Sequence, residues 1–508
     1  MAVPRLSKSR YTSFLECPVQ GYLRSFPARF GSYGEWSAEQ RDRLETGTRV
    51  GELAREYFSG GVLIEAGADG SDMKAALRAT HAALEAGCGL LYEATFVHDH
   101  ILVRADILRR LADGSWELTE VKSGTDAEKH HGRYAADIGV QVHVLEACGL
   151  AVSRAYLMLL DRGYVHPGGE SYDPVELFRR VDMTAASRAH AATELPGNLR
   201  TIRALLAKTE PPFRLSENAC RGACEYCASF CEPRGPLYPV TEFGRARKAW
   251  ELLIEAGVLD ARAINEYTHP EAFALLTRGS RAARHLRHLQ SVQSGRLVVD
   301  EGLSKALAGL AFPLHFFDFE SWAPALPVFP GTHPYEQVVF QWSDHCLQAE
   351  GTLDAAAFLA DGRGDPRRQV AESLLARLGS GGSIVVYHAP FERGRLRELA
   401  ALYPDLSAGL HGVENRVVDL LPLVADHVYH PEFHGSFSLK RVLPALCPGV
   451  GYGELAIQEG TAAARAFRDL RLLPDGGAKE DLRRNMLAYC ARDTEAMVAI
   501  FRVLRSLA

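Results

Sequence analysis

Cys220, Cys224, Cys227 and Cys231 fall between positions 220 and 231, and no other stretch limits what this chain can fold into as strongly. Thiols this close, in a chain that opens without the apolar core of a signal peptide, read as soft ligands for a metal or an iron–sulfur group before they read as disulfides. Three arrangements are open: a self-contained structural zinc knot, a site that needs a further ligand from far upstream, or small buried thiols in a turn.

A length of 508 residues predicts two to four domains. No apolar run reaches the ~20 residues that span a bilayer, so a cytoplasmic protein without a membrane partner is expected. A formal charge of −6 excludes coating of nucleic acid by bulk positive charge. Positive charge is local instead. Arg5, Lys8, Arg10, Arg24 and Arg29 crowd the start, and Arg278, Arg281, Arg284, Arg287 and Arg296 crowd a middle stretch.

Residues 1–235 carry the first acidic constellation. A short helix capped by Ser7 or Ser9 runs to Cys17-Pro18, and a longer one is expected from Glu39 to Phe58. Strands follow at Leu91–Val97, Ile101–Leu108 and Trp116–Lys122. Alternation puts Glu120 and Lys122 on one face, and Asp106 on the preceding strand can join Glu120 in holding magnesium or manganese. Lys122 would then orient or deprotonate a water and stabilise charge on a phosphodiester. A helix from His130 to Cys148 carries Asp137 and Gln141, and a strand is expected at Ser153–Leu160.

Three prolines and a glycine after Cys231 mark a boundary, and residues 236–310 read as a helical connector. Short helices are expected at Phe243–Ala256, Asp260–Tyr267 and Pro270–Leu276, with Leu253, Ile254, Val258, Leu259 and Ile264 as core. Its arginines either meet nucleic-acid backbone or decorate a plain spacer.

In residues 311–508, Asp318 and Glu320 project to the same side of a strand, an arrangement that is costly unless solvated or bridged by a cation. A second strand, Ile384–His388, leads into a helix bearing Glu392 near its start. Tyr489 and Asp493 stand one turn apart on a late helix. Asp419 is a possible further ligand, read more readily as structural. The helix start at Gly435–Lys440 offers amides and Lys440 to a phosphate.

Cys17-Pro18, Tyr92-Glu93-Ala94, Arg104–Leu108, Glu120-Val121-Lys122-Ser123-Gly124, Gln141 and the terminal cysteines, in that order, resemble the RecB-type nucleases of the PD-(D/E)xK superfamily. The cysteines resemble the AddB-like branch, in which one cysteine before the nuclease core and three after it hold a [4Fe–4S] cluster. The resemblance implies metal binding by Asp106 and Glu120, catalytic assistance by Lys122, and a motif role for Gln141. It also implies Cys17, Cys220, Cys224 and Cys231 as cluster ligands, with Cys227 spare and able to replace a neighbour; zinc held by the four local thiolates is the alternative. Gly51 stands where many relatives carry a histidine.

The C-terminal pattern resembles the tyrosine subtype of DEDD exonucleases, which have a ribonuclease H-like fold. By that resemblance Asp318, Glu320, Glu392 and Asp493 are metal ligands and Tyr489 orients or helps activate water. His388 and Glu392 depart from the usual Asn and Asp. The whole order resembles a bacterial family labelled domain of unknown function 2779 along nearly its full length. The expectation is an α/β protein: a RecB-like nuclease domain at 1–235, a connector at 236–310 and a DEDD-type domain at 311–508. It would be a magnesium- or manganese-dependent DNA exonuclease; an RNA-directed enzyme, or a nucleic-acid-binding scaffold with inactive sites, is the rival.

Overall fold

The computed structural model describes residues 4–30, 38–67, 72–213 and 224–508. It is a mixed α/β protein with several sheets and many helices. Two compact units emerge: Met1–Pro233 with Pro324–Glu336, and Arg234–Ala323 with Gln337–Ala508.

In the first unit, α1 (Lys8–Glu16) is capped by the Ser7 side chain, which accepts from the Arg10 amide. Cys17 is extended and breaks the run, and Pro18 then starts α2 (Pro18–Ser25), where a missing amide hydrogen costs nothing. Next come α3 (Ala38–Tyr57) and α4 (Met73–Glu85), followed by strands β1 (Leu90–His98), β2 (Ile101–Arg110) and β3 (Trp116–Lys122). The chain continues through α5 (His131–Ala147), β4 (Val152–Leu160), β5 (Phe178–Asp182), α6 (Thr184–Thr193) and α7 (Leu195–Leu206).

The sheet has seven strands, with β1 to β5 in sequential order; Val62–Leu63 pairs with β1 and Leu6–Ser7 with β2. Strands β1, β2 and β3 are antiparallel, β4 is parallel to β3, and α5 supplies the crossover that a parallel pair needs. Apolar residues of α1, α5 and α7 form one core with the sheet. The later segment Pro324–Glu336 completes the unit, bonding through Thr332 and Gly331 to His166 and burying Ala325. The contiguous boundaries expected from sequence do not contain this segment.

The second unit begins with the expected connector, which does not stand apart. Its longer helices are α8 (Arg247–Glu255), α9 (Pro270–Leu276) and α10 (Ala282–Ser294). The helix expected at Asp260–Tyr267 shrinks to a short turn, Ala261–Ala263. There the side chains of Asp260 and Asn265 accept from amides two residues on and compete with helix formation. Leu253 and Ile264 are buried as expected, but Leu259 is exposed, and Phe243, Leu276 and Val292 are buried instead. Val298–Val299 pairs with Val428–Tyr429, tying this stretch to the later part of the same unit.

The main sheet contains β6 (Leu314–Trp322), β7 (Val338–Leu347), β8 (Leu353–Leu359), β9 (Ser383–Val386) and β10 (Val417–Asp419), in the order β8-β7-β6-β9-β10. Helices α11 (Arg367–Leu378) and α12 (Pro390–Leu402) cover one face with Phe317 and Phe319. The other face receives α14 (Gly477–Leu507), where Phe316 meets Phe501; the short α13 (Leu439–Leu446) precedes it in the chain. Among the described residues, no helix is long and apolar enough to cross a membrane.

Candidate active sites

In the first unit, strand register brings the acids level. Tyr92 and Ala94 pair with Ile107 and Ala105, and Ile107 pairs with Thr119, so Glu93, Asp106 and Glu120 stand side by side on β1, β2 and β3. Glu93 has φ +59°, uncommon for a non-glycine residue, and its carboxylate is held by Arg104 at 2.9 Å. Asp106 accepts from the Val121 amide at 2.7 Å, which fixes one of its oxygens.

Glu120 is 1% exposed and its carboxylate is crowded with donors. Lys122 Nζ lies 2.6 Å from its Oε1, and Gln141 Nε2 donates to Oε2 at 2.8 Å. A residue without a predicted role completes the group: Lys8, at the start of α1, reaches Oε1 at 2.7 Å and Oε2 at 2.8 Å. Asp137, one turn before Gln141 on α5, binds Lys122 at 2.8 Å.

Burial opposes ionisation of Glu120, but Lys122 and Lys8 outweigh it and hold the carboxyl down at about 2. Burial first, then Glu120, pushes Asp106 up to about 7. Burial disfavours the Lys122 charge, yet Glu120, Asp137 and Asp106 hold its pKa well above the ordinary value. In the metal-free fold the Lys122 ammonium is shared between Glu120 and Asp137. Asp137 Oδ1 and Gln141 Oε1 are buried without a hydrogen-bond partner. Asp106 and Glu120, level on adjacent strands, offer the oxygen ligands that a hard divalent cation takes.

In the second unit, β9 pairs in parallel with β6 through Val385 and Phe316 and ends at Val386, so Asp318 and Glu320 extend past its carboxyl end. The chain order reverses here, since β7 and β8 lie on one side of β6 and β9 and β10 on the other. Open α/β sheets form their crevices at such a point. Glu392, buried in the first turn of α12, follows β9 directly.

His388 precedes it with φ +78°, and the Asp419 carboxylate accepts from the His388 and Ala389 amides, both at 2.9 Å. Asp419 also caps the helix Leu420–His427 through the Leu421 amide. It therefore braces the turn that aims Glu392.

Helix α14 brings Tyr489 and Asp493 to the same place. Asp318, Glu320 and Cys490 present ligand atoms within 4.8 Å of one another. Asp493 accepts from Tyr452 at 2.5 Å. Lys440 Nζ sits 5.4 Å from the Tyr452 ring and 5.7 Å from the Tyr489 ring. Tyr452 carried no sequence signal because it lies in an irregular stretch.

Burial, followed by Asp493, Glu320 and Glu392, raises the Asp318 pKa well above its usual value, and burial and Asp493 do the same to Glu320. Burial lifts Glu392 to about 8, and its Oε2 has no hydrogen-bond partner. Mutually repelling buried carboxylates with an unsatisfied oxygen fit divalent cations. Burial, with Asp493 and Glu320, also raises the Tyr489 phenol, which stays protonated and can orient a water by donating.

The cysteines come together only in part. Cys220 lies outside the described residues. Cys17, Cys224 and Cys231 pack on a small apolar cluster of Val19, Leu23, Tyr226 and Phe230. Gln20 and Arg24 on α2 reach Glu225 at 3.0 and 2.7 Å, fastening the two chain segments together. Cys227, set aside as spare, is buried with its sulfur 3.5 Å from that of Cys224. Tetrahedral zinc with Zn–S of 2.3 Å separates its sulfurs by about 3.8 Å. Thiols collected in this way suit a soft metal.

A family described as "Domain of unknown function (DUF2779)" matches residues 315–438. This interval includes Asp318, Glu320 and Glu392 and ends before Tyr489 and Asp493, so it is narrower than the near-full-length resemblance read from the sequence. The chain is 23% identical over 216 residues to "Uncharacterized protein MG366" of Mycoplasma genitalium, covering 38% of this chain and 32% of that protein. It is 27% identical over 208 residues to the "Uncharacterized protein MG366 homolog" of Mycoplasma pneumoniae, covering 36% and 31%. The chain thus spans about a third of the length of these curated relatives. No solved structure matches it.

Proposed function

We propose that the protein is a metal-dependent DNA nuclease with two phosphodiester-hydrolysing centres, one in each unit. The observation that carries this is the pairing of Asp106 with Glu120 across two strands, Lys122 Nζ 2.6 Å from Glu120 and Gln141 donating to the same carboxylate. These are the residues the RecB-type resemblance assigns, and the fold collects them around one point. The first unit is then a RecB-like PD-(D/E)xK domain, with a [4Fe–4S] cluster on Cys17, Cys220, Cys224 and Cys231. The second is a ribonuclease H-like DEDD domain using Asp318, Glu320, Glu392 and Asp493.

Magnesium or manganese, when bound, supplies charge to the entering and leaving oxygens of an in-line displacement. The protein's own groups do the rest. Asp106 and Glu120 would hold the cation, while Lys122 and Lys8 place ammonium protons where negative charge develops. In the other centre Tyr489 donates to orient a water, and Tyr452 keeps Asp493 in position.

End-labelled single- and double-stranded DNA, with matched RNA, tests the proposal. Lys122→Ala and Asp318→Ala should each remove a distinguishable part of the magnesium- or manganese-dependent cleavage. Cleavage unaltered in both variants rejects the site assignment, and a preference for RNA transfers the activity to that substrate.

A further inference from the structure

Neither acidic centre uses the arginine-rich stretch after Arg278. In the structure these side chains part company. Arg287 is buried and turned onto Asp300 at 3.2 Å. Arg281 and Arg284 instead join Arg245 in lining a cavity of about 270 Å3 within the second unit. Arg284 shares its charge with Asp426 at 2.5 Å.

The floor of this cavity is aromatic. His288 is 4% exposed and packs against two rings, 4.4 Å from Phe243 and 4.3 Å from Tyr429. Phe437 adds a further wall, its ring 5.7 Å from that of Tyr429. His288 Nε2 and Glu242 Oε2 stand 3.4 Å apart without the alignment of a hydrogen bond, and both are buried and unsatisfied. Buried polar atoms left without partners are destabilising, and a ligand that supplies partners relieves the cost.

Burial drives Glu242 up to about 8 and His288 down to about 3, so at neutral pH the floor carries little charge and the arginines dominate the field. The turn at Gly435 closes against Glu242. With φ +72°, a Cβ there would lie 2.5 Å from the Glu242 carbonyl oxygen, so only glycine fits.

We propose that this pocket binds one nucleotide unit, its base against Phe243 and Phe437 with polar edges to Glu242 and His288, and its phosphate at Arg245, Arg281 and Arg284. Aromatic faces accept any base, and arginine forks match phosphate oxygens. The volume is slightly below the roughly 300–1,000 Å3 of small-molecule sites, which suits a single nucleotide and not a folded strand. Phe437 lies three residues before Lys440, a backbone reach of at most about 11 Å, and Lys440 stands over the tyrosines of the acidic centre. As a subsite for the strand being cut, the pocket rests on the nuclease reading; as a nucleotide site, it does not.

The test is calorimetric titration of the full chain in EDTA. The probes are 2′-deoxyadenosine 5′-monophosphate, deoxyadenosine, inorganic phosphate and a short single-stranded oligodeoxynucleotide. The monophosphate should bind at least about 10-fold more tightly than the nucleoside or phosphate, because both halves of the site are engaged. Arg281→Ala combined with Arg245→Ala should weaken it by about 10-fold, and Phe437→Ala by a similar factor. Competition by the oligonucleotide identifies the occupant as part of a strand, and lack of competition identifies it as a free mononucleotide.

Absent monophosphate binding, or binding equal in wild type and the arginine variant, overturns the pocket even if cleavage is intact. Monophosphate binding that persists in Asp318→Asn while wild type cleaves nothing keeps the pocket and rejects the nuclease reading alone.

Discussion

Lys8 and Glu120, 112 positions apart in the chain, are joined by contacts of 2.7 and 2.8 Å to the two oxygens of one carboxylate. The first helix of the protein is thereby part of the first acidic centre. Burial works against the Lys8 charge, and Asp137, Glu120 and Asp106 more than restore it, so the residue is a fixed cation there.

Lys8→Met should therefore act on chemistry and stability together. Lys122 still neutralises Glu120, so the loss of stability should be about 2 kcal/mol and not the larger cost of an orphaned buried charge. Cleavage by the first centre should fall by roughly 10²-fold, the scale of removing one stabilising donor. Chemical denaturation and cleavage of end-labelled DNA by Asp318→Ala/Lys8→Met against Asp318→Ala measure the two effects. Unchanged cleavage would leave Lys8 a structural tether.

Asp318→Asn should show the opposite sign on stability. Asp318 sits among Asp493, Glu320 and Glu392, so abolishing its ionisation relieves repulsion in the metal-free protein. Thermal denaturation in EDTA should place the variant above wild type. Manganese at 100 times its Kd should stabilise wild type by about 2.7 kcal/mol through mass action. Any stabilisation from the second centre should vanish in the variant, which would also lose that centre's cleavage.

These two residues mark what the sequence could and could not disclose. Asp318 and Glu320 were legible because a strand fixes the side to which alternate residues point, and Glu120 with Lys122 for the same reason. Lys8 was not, because its meaning depends on a long-range contact that local periodicity does not encode. Glu93 was visible within a motif, but its positive φ was not. Asp419 was weighed as a ligand, and the structure gives it to the His388 and Ala389 amides. The pairing of Val298–Val299 with Val428–Tyr429 across a large sequence gap was likewise beyond local periodicity.

The cysteine group separates two metals by one residue. A local zinc knot has no use for Cys17, yet Cys17 packs on the same apolar cluster as Cys224 and Cys231. A cluster ligated by Cys17 should bring iron with it, and anaerobic protein should be coloured and lose iron in Cys17→Ser while keeping it in Cys227→Ser. The 3.5 Å separation of Cys224 and Cys227 sulfurs sets the contrary outcome. One zinc per chain, lost in Cys227→Ser and indifferent to Cys17→Ser, assigns the group to zinc.

The arginine-lined pocket gives the protein a pH signature apart from both acidic centres. Glu242 titrates at about 8 in the fold against an ordinary 4.5, so between those values the folded state holds a proton the unfolded chain has released. Stability then falls as pH rises from 4.5 to about 8, by at most about 5 kcal/mol. His288 runs the other way. Held at about 3 against 6.5, it stays neutral in the fold while the unfolded chain takes a proton, so stability rises with pH up to 6.5. The two slopes cancel between 4.5 and 6.5, leaving a plateau bounded by an acid limb from His288 and an alkaline limb from Glu242. Glu242→Gln keeps the shape and removes the proton, so urea denaturation of this variant should lose the decline between pH 6.5 and 8 and retain the acid limb. A decline that persists unchanged in Glu242→Gln would mean that Glu242 is already ionised at neutral pH.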